Sequence, residues 1–251
     1  MSRPLVNVGF YGKLPCRGDF LQRRAPQDFV DAWDTWLQEG LHESRQRLQD
    51  AWLNSYLTGP VWRFVLSAGI CGSGTYAGVL VPSVDRVGRY FPLTVIAQLA
   101  AEECPLVVAC GRSGWFESAE SLAIEAVAAE ALDFDSFDEQ VALLRERLDA
   151  DAAAESSEFA QMLRNFPGEA ARWHVPLGAV DSLQSAINVY AWREMSRAVQ
   201  PLALWWTQGS GAVAPSCLVT RGLPDAHASV AMLTGEWASA DWATARAAEY
   251  A

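Results

Sequence analysis

An α/β sandwich, with one largely antiparallel or mixed central sheet covered by helices on both faces, is the fold that three features of this sequence predict. Short β-forming runs lie early and late in the chain, with helical patterns between them. The early runs follow one another through glycine turns, as the strands of an antiparallel meander do. Their nearly continuous apolar character marks a sheet buried on both sides. At 251 residues, 51% apolar and with eleven tryptophans, the chain can bury a sizeable core. No internal repeat or linker divides it. It reads as one domain over 1–251, with an acidic helical insertion at about 111–180.

The elements follow in order. Residues 5–11, LVNVGFY, alternate and are rich in β-formers, which predicts the first strand. From Pro26 a helix is expected, because Phe29, Trp33, Trp36, Leu37, Leu41 and Leu48 fall near helical spacing. Asp28, Asp31 and Asp34 suit its positive end, and Arg45 and Arg47 its other end. DAWLNSYLTG continues as a short helix closed by Gly59-Pro60. Strands are predicted over 61–69, 75–83 and 89–100, with Gly72-Ser73-Gly74 and SVDRVG as the turns. Residues 111–148 read as two acidic, alanine-rich helices, and 149–180 as an irregular excursion. A helix over 181–197 follows. A closing hairpin over 201–209 and 215–222 comes next, then a last helix over 225–233. Trp205 and Trp206, adjacent on a strand, are expected to face opposite layers as core residues.

Charge is unevenly distributed. Residues 1–100 hold ten Lys and Arg against eight Asp and Glu, whereas 101–251 hold nine against twenty-two. Thirteen acids lie between Glu117 and Glu158, facing only Arg145 and Arg147. That half repels nucleic acid, so no nucleic-acid partner is expected. The run reads as a solvated helix face or as a docking surface for a basic partner. No stretch of about 18 apolar residues predicts a membrane span, and the amino terminus lacks a signal-peptide pattern. The protein is therefore expected to stay in the cytoplasm. The five cysteines are scattered without a C-x-x-C pair and read as free thiols.

Catalytic patterns fail on context. Gly72-x-Gly74-x-x-Ala77 has dinucleotide-fingerprint spacing but leads into a strand, whereas the pyrophosphate needs a helix N-terminus. Gly12-Lys13 is followed by leucine, so the stretch is not a P-loop. No G-x-S-x-G elbow occurs, and His42, His174 and His227 are isolated. No catalytic residue, metal site or cofactor is predicted.

Several blocks resemble one family closely. GFYGKLPCRGDF at 9–20, FVDAWDTWLQEGL, GPVWRF and VPSVDRVGRYFPLT are similar to successive blocks of TagF, the type VI secretion system-associated protein. PLALWWTQGS and RGLPDA resemble it as well. The likeness runs from about residue 7 to about 237 and is weakest over 110–190. It implies a single α/β sandwich and post-translational repression of type VI secretion. The implied partner is a forkhead-associated scaffold protein of the secretion apparatus. Some family members carry a fused phosphatase domain; this chain ends after the TagF part, so phosphatase activity is not expected.

The candidate interaction residues lie on these blocks: Tyr11, Gly12, Lys13, Pro15, Gly18, Asp19 and Phe20 on the first, and Trp62 and Arg63 on GPVWRF. Pro82, Ser83, Asp85, Arg86, Gly88, Arg89, Tyr90 and Pro92 lie on VPSVDRVGRYFPLT. Gly12, Pro15 and Gly18 shape a turn after the first strand. Lys13, Arg17 and Asp19 project from it. Either this turn locks against the second motif, with Asp19 or Asp85 pairing with Arg86, Arg89 or Arg63, or it presents a surface that a partner reads. Arginine forks suit such carboxylate pairs. The leading expectation is an interaction protein acting on the forkhead-associated scaffold, its acidic helices competing for a basic phosphopeptide surface. The alternatives are a small-ligand sensor or enzyme built on Lys13, Asp19, Asp85 and Arg89, and a structural subunit of the apparatus.

Overall fold

The computed structural model describes residues 7–129, 131–154 and 199–243. In it one sheet takes up strands from both ends of the chain. The strands are β1 (Asn7–Gly12), β2 (Leu21–Arg23), β3 (Trp62–Leu66), β4 (Thr75–Val81), β5 (Leu93–Leu99), β6 (Leu202–Thr207) and β7 (Ser216–Arg221). They lie in the order β2-β1-β5-β4-β3-β6-β7, and every neighbouring pair is antiparallel. The expected meander is β3-β4-β5. The closing hairpin β6-β7 extends the same sheet beyond β3.

Helices cover both faces. The described ones are α1 (Gln27–Leu48), α2 (Trp52–Leu57), α3 (Pro105–Gly111), α4 (Ser113–Ala128), α5 (Phe134–Ala154) and α6 (Ala226–Thr234). Side chains alternate across each strand, so neighbours enter different cores. Phe10 packs at 5.0 Å from Phe137 of α5, in a core that also holds Val79, Val95, Trp115 and Phe116. On the opposite face Trp33 of α1 stacks on Trp205 at 5.9 Å and meets Phe64 at 4.7 Å. Its indole Nε1 donates to Thr94 Oγ1 at 2.9 Å. Trp206 turns the other way and meets Phe116 at 4.7 Å, as the alternation predicts. The helix over 225–233 is present as α6. Asp225 caps it by accepting from the Ala228 amide at 2.7 Å.

The structure differs from expectation in four places. The strand predicted over 89–100 begins only at Leu93, because Val84 and Tyr90 bridge to close a separate turn. Leu21–Arg23 forms a short edge strand folded back on β1, pairing Phe10 with Arg23. Pro105 opens an extra helix, α3, where it fits the first turn without losing a needed donor. The second acidic helix runs on to Ala154, since alanine is the strongest helix former. The excursion expected over 155–180 and the helix over 181–197 lie outside the described residues.

Candidate functional site

Antiparallel pairing of β1 with β5 sets Gly12 opposite Leu93. The chain leaving β1 and the chain entering β5 therefore sit side by side at one end of the sheet. This brings the 13–20 and 82–92 loops together. Gly12 makes the closest approach. Its φ is +135°, and a Cβ there would lie 2.1 Å from the Pro92 carbonyl oxygen, so the position requires glycine. Pro15 sits in a turn closed by the Arg17 amide donating to the Leu14 carbonyl at 3.1 Å, where a fixed φ is favourable.

Asp85 is the centre of the join. Its Oδ2 accepts from Lys13 Nζ at 2.8 Å and from Arg89 Nε at 2.7 Å. Its Oδ1 accepts from the Val87 and Arg89 amides, both at 2.9 Å. Lys13 is 4% and Asp85 3% exposed. Burial alone would raise the Asp85 carboxyl, but the Lys13 ammonium and the Arg89 and Val87 donors outweigh it. They hold the group well below the usual carboxylate range. Further bonds bind the loops: the Arg86 amide to the Arg17 carbonyl at 3.0 Å, and Arg89 Nη2 to the Gly18 carbonyl. Ser83 Oγ donates to the Lys13 carbonyl at 2.8 Å. Tyr56 on α2 donates its hydroxyl to the Ser83 carbonyl at 2.8 Å and accepts from the Ser83 amide at 3.0 Å.

Aromatic rings floor the join. Phe20 stacks on Tyr11 at 5.9 Å and meets Phe91 edge-on at 4.8 Å, while the Lys13 ammonium sits 4.8 Å from the Phe20 centroid. Tyr11 donates its hydroxyl to Asp34 Oδ1 at 2.5 Å. Burial first, and that carboxylate second, push its ionisation above the ordinary tyrosine range. Tyr90 packs edge-on against Trp52 and Tyr56. Beneath lies an apolar cavity of about 70 Å³ walled by Trp36, Tyr56, Trp62, Pro82 and Pro92 among others.

Two expected partners stand elsewhere. Arg63 is not part of this cluster. It points from β3 to the opposite face from Trp62 and pairs through Nε with Glu120 of α4 at 2.6 Å, again because strand neighbours diverge. Trp62 donates its Nε1 to the Met232 carbonyl at 3.1 Å. Asp19 is exposed and makes no ion pair among the described residues. The carboxylate that answers Lys13 and Arg89 is Asp85 alone. Arg86 contributes its amide, and its side chain is exposed. Gly88 has φ +85° in the turn that Asp85 closes. Gly18 has open space where a Cβ would stand, so it imposes no packing demand there. Tyr56, Phe91 and Glu120 complete these contacts; Tyr56 and Glu120 show only an apolar and an acidic helical position in the sequence, whereas Phe91 lies within the VPSVDRVGRYFPLT block beside the residues singled out there.

Chemically, the cluster is a clasp. All four donors on Asp85 come from the two loops themselves, and Lys13 is spent on the same carboxylate. Among the described residues, no group of three or more His, Cys, Asp or Glu could hold a metal ion. No helix there is long and apolar enough to cross a membrane.

Comparison with known proteins places these loops in context. The family model for the TagF N-terminal domain, described as type VI secretion system-associated, matches residues 9–144. That span runs from β1 through the clasp and into α5. A crystal structure of PA0076 from Pseudomonas aeruginosa PAO1 is similar, with 34% sequence identity and a TM-score of 0.69. The match covers 91% of this chain and 94% of that one. No curated protein matches. More than half of the chain thus carries the family pattern, and the chain belongs to the TagF family of type VI secretion system-associated proteins.

Proposed function

We propose that this chain is a cytoplasmic, post-translational negative regulator of type VI secretion that acts by binding the forkhead-associated scaffold protein of the apparatus. The observation that carries the reading is the TagF match over residues 9–144. Two features of the molecule support action by binding rather than by turnover. Asp85 and Lys13, the buried charged pair of the family blocks, are committed to each other and to the loop backbones. Several acids of α4 and α5, by contrast, face water: Glu117, Glu125, Glu139 and Glu146 are exposed on the hairpin these helices form. Such carboxylates suit a basic docking partner.

Co-purification of the scaffold with this chain as bait tests the reading. Wild type should retain the scaffold, and raising its level should reduce secretion. Changing Glu117, Glu125, Glu139 and Glu146 to Lys should abolish retention. Retention unchanged by those reversals removes the acidic hairpin as the contact. Stoichiometric incorporation into the assembled, active machine would instead make the chain a structural subunit.

A further inference from the structure

The clasp has an outer surface whose charge opposes that of the rest of the protein. Over residues 13–23 and 83–92 five basic side chains, Lys13, Arg17, Arg23, Arg86 and Arg89, stand against two acids, Asp19 and Asp85. The whole chain carries −11. Asp85 is used inside by Lys13 and Arg89. Arg17 and Arg86 are exposed and have no carboxylate partner among the described residues. Their backbones are hydrogen-bonded to each other at 3.0 Å, so the two guanidinium-bearing residues project from one rigid junction. Arg17 and Arg23 both lie over the ring of Phe134, at 5.3 and 5.4 Å, which gathers a third guanidinium to the same edge. Large apolar side chains stand open beside them: Phe20 is 48% and Val87 63% exposed. Exposed aromatic and aliphatic groups ringed by arginine are the composition of a protein-binding patch. A surface held in place by buried bonds loses little freedom on binding.

The geometry points to this outer face of the two loops as a docking site for an acidic segment of a partner protein. Carboxylates of that segment meet the Arg17 and Arg86 forks, which bind them bidentately. An apolar side chain of the same segment rests on Phe20 and Val87. The proposal stands apart from the regulatory reading, because the acidic α4–α5 hairpin engages a partner of the opposite charge. The molecule then offers two surfaces at once.

A short fluorescein-labelled peptide of Asp and Glu with a central Leu, and its Asn and Gln counterpart, are the probes. Fluorescence anisotropy is read on the full chain at about 50 mM and about 300 mM salt. Wild type should bind the acidic peptide saturably, more weakly at the higher salt, and should not bind the neutral one. Arg17→Glu with Arg86→Glu should lose roughly tenfold or more. Arg145→Glu with Arg221→Glu, an equal charge change placed eleven residues along α5 from Phe134 and on β7 at the opposite edge of the sheet, should bind as wild type does. Val87→Ser should weaken binding by roughly threefold. Circular dichroism confirms folding; if the Glu pair fails to fold, Arg17→Gln with Arg86→Gln replaces it. Equal affinity in the Arg17/Arg86 variant overturns the proposal. So does an equal loss in the Arg145/Arg221 variant, binding of the neutral peptide, or no binding by wild type. Wild-type affinity in Val87→Ser overturns the apolar half of it.

Discussion

The two-loop clasp and the α4–α5 hairpin are both rich in charge, and they use it in opposite ways. In the clasp, Asp85 and Lys13 are removed from water and satisfied by fixed donors and acceptors. In the hairpin, most acids stay hydrated. The few that pair do so at the margins, such as Asp138 with Arg24 and Glu120 with Arg63. A buried charge is strongly tied to its partner, because exposing it unpaired inside the fold is costly. A hydrated charge is nearly indifferent to substitution. The charges of the clasp should therefore govern stability, and the exposed acids of the hairpin only what the molecule meets.

Breaking the clasp gives the largest effect. Asp85→Asn leaves the Lys13 ammonium buried without its counter-charge. It should cost about 3–5 kcal/mol, lowering Tm by roughly 10 °C in a protein of this size. Differential scanning calorimetry measures it, and a loss under about 1 kcal/mol would sink the view that the pair holds the loops. The same group sets a pH dependence. Its folded pKa lies below the unfolded value, so its contribution is complete above about pH 5 and is lost progressively as pH falls from there toward the folded pKa. Urea midpoints should thus drop more steeply for wild type than for Asp85→Asn between about pH 5 and pH 3.

Gly12→Ala comes next. It places a Cβ against the Pro92 carbonyl at a φ of +135°, and the expected cost is about 2–3 kcal/mol. Gly18→Ala, in the same block, meets nothing within 4 Å and should lie within about 0.5 kcal/mol of wild type. Equal losses at the two glycines would show that the turn as a whole, rather than the approach to Pro92, is the constraint.

How much of this was legible follows the range of the forces involved. The meander, α1 and the final hairpin were readable, because Trp33, Trp36 and Leu37 mark a stripe and Trp205 and Trp206 an alternation. These are local periodicities. The convergence of Lys13 and Arg89 on Asp85 was readable as one pairing among several. Choosing among them required knowing that β1 lies beside β5, which is a long-range fact. Arg63, one of three arginines the sequence offers to Asp19 or Asp85, pairs instead with Glu120, 57 residues away on another layer. Leu21–Arg23 escaped notice because three residues show no period, and its strand exists only by pairing with β1. Residues 149–154 misled through their acids, whereas their alanines decided the helix.

Arg63→Met probes the border between the two regions. The Arg63–Glu120 pair joins β3 to α4, with side chains 11% and 19% exposed. It is drier than a surface bridge and wetter than the clasp, so its loss should fall between them, at about 1–2 kcal/mol. A chemical denaturation midpoint reads it, and Arg63→Met with Glu120→Leu should recover part of the loss by removing the stranded carboxylate.

The smallest effect is expected where the charge is densest. Changing Glu117, Glu125, Glu139 and Glu146 to Lys reverses four exposed side chains, none of which forms an ion pair among the described residues. Each should change stability by no more than about 0.5 kcal/mol. Lysine near the carboxyl end of α4 also complements the helix dipole, and a less negative chain repels itself less. The sum is a Tm within roughly 5 °C of wild type, biased upward at low salt by these two effects. A fall as large as that of Asp85→Asn would mean that the hairpin acids hold the fold from the surface. In that case scaffold binding lost by the same variant would report unfolding rather than contact, so the thermal scan has to precede any binding experiment on this face.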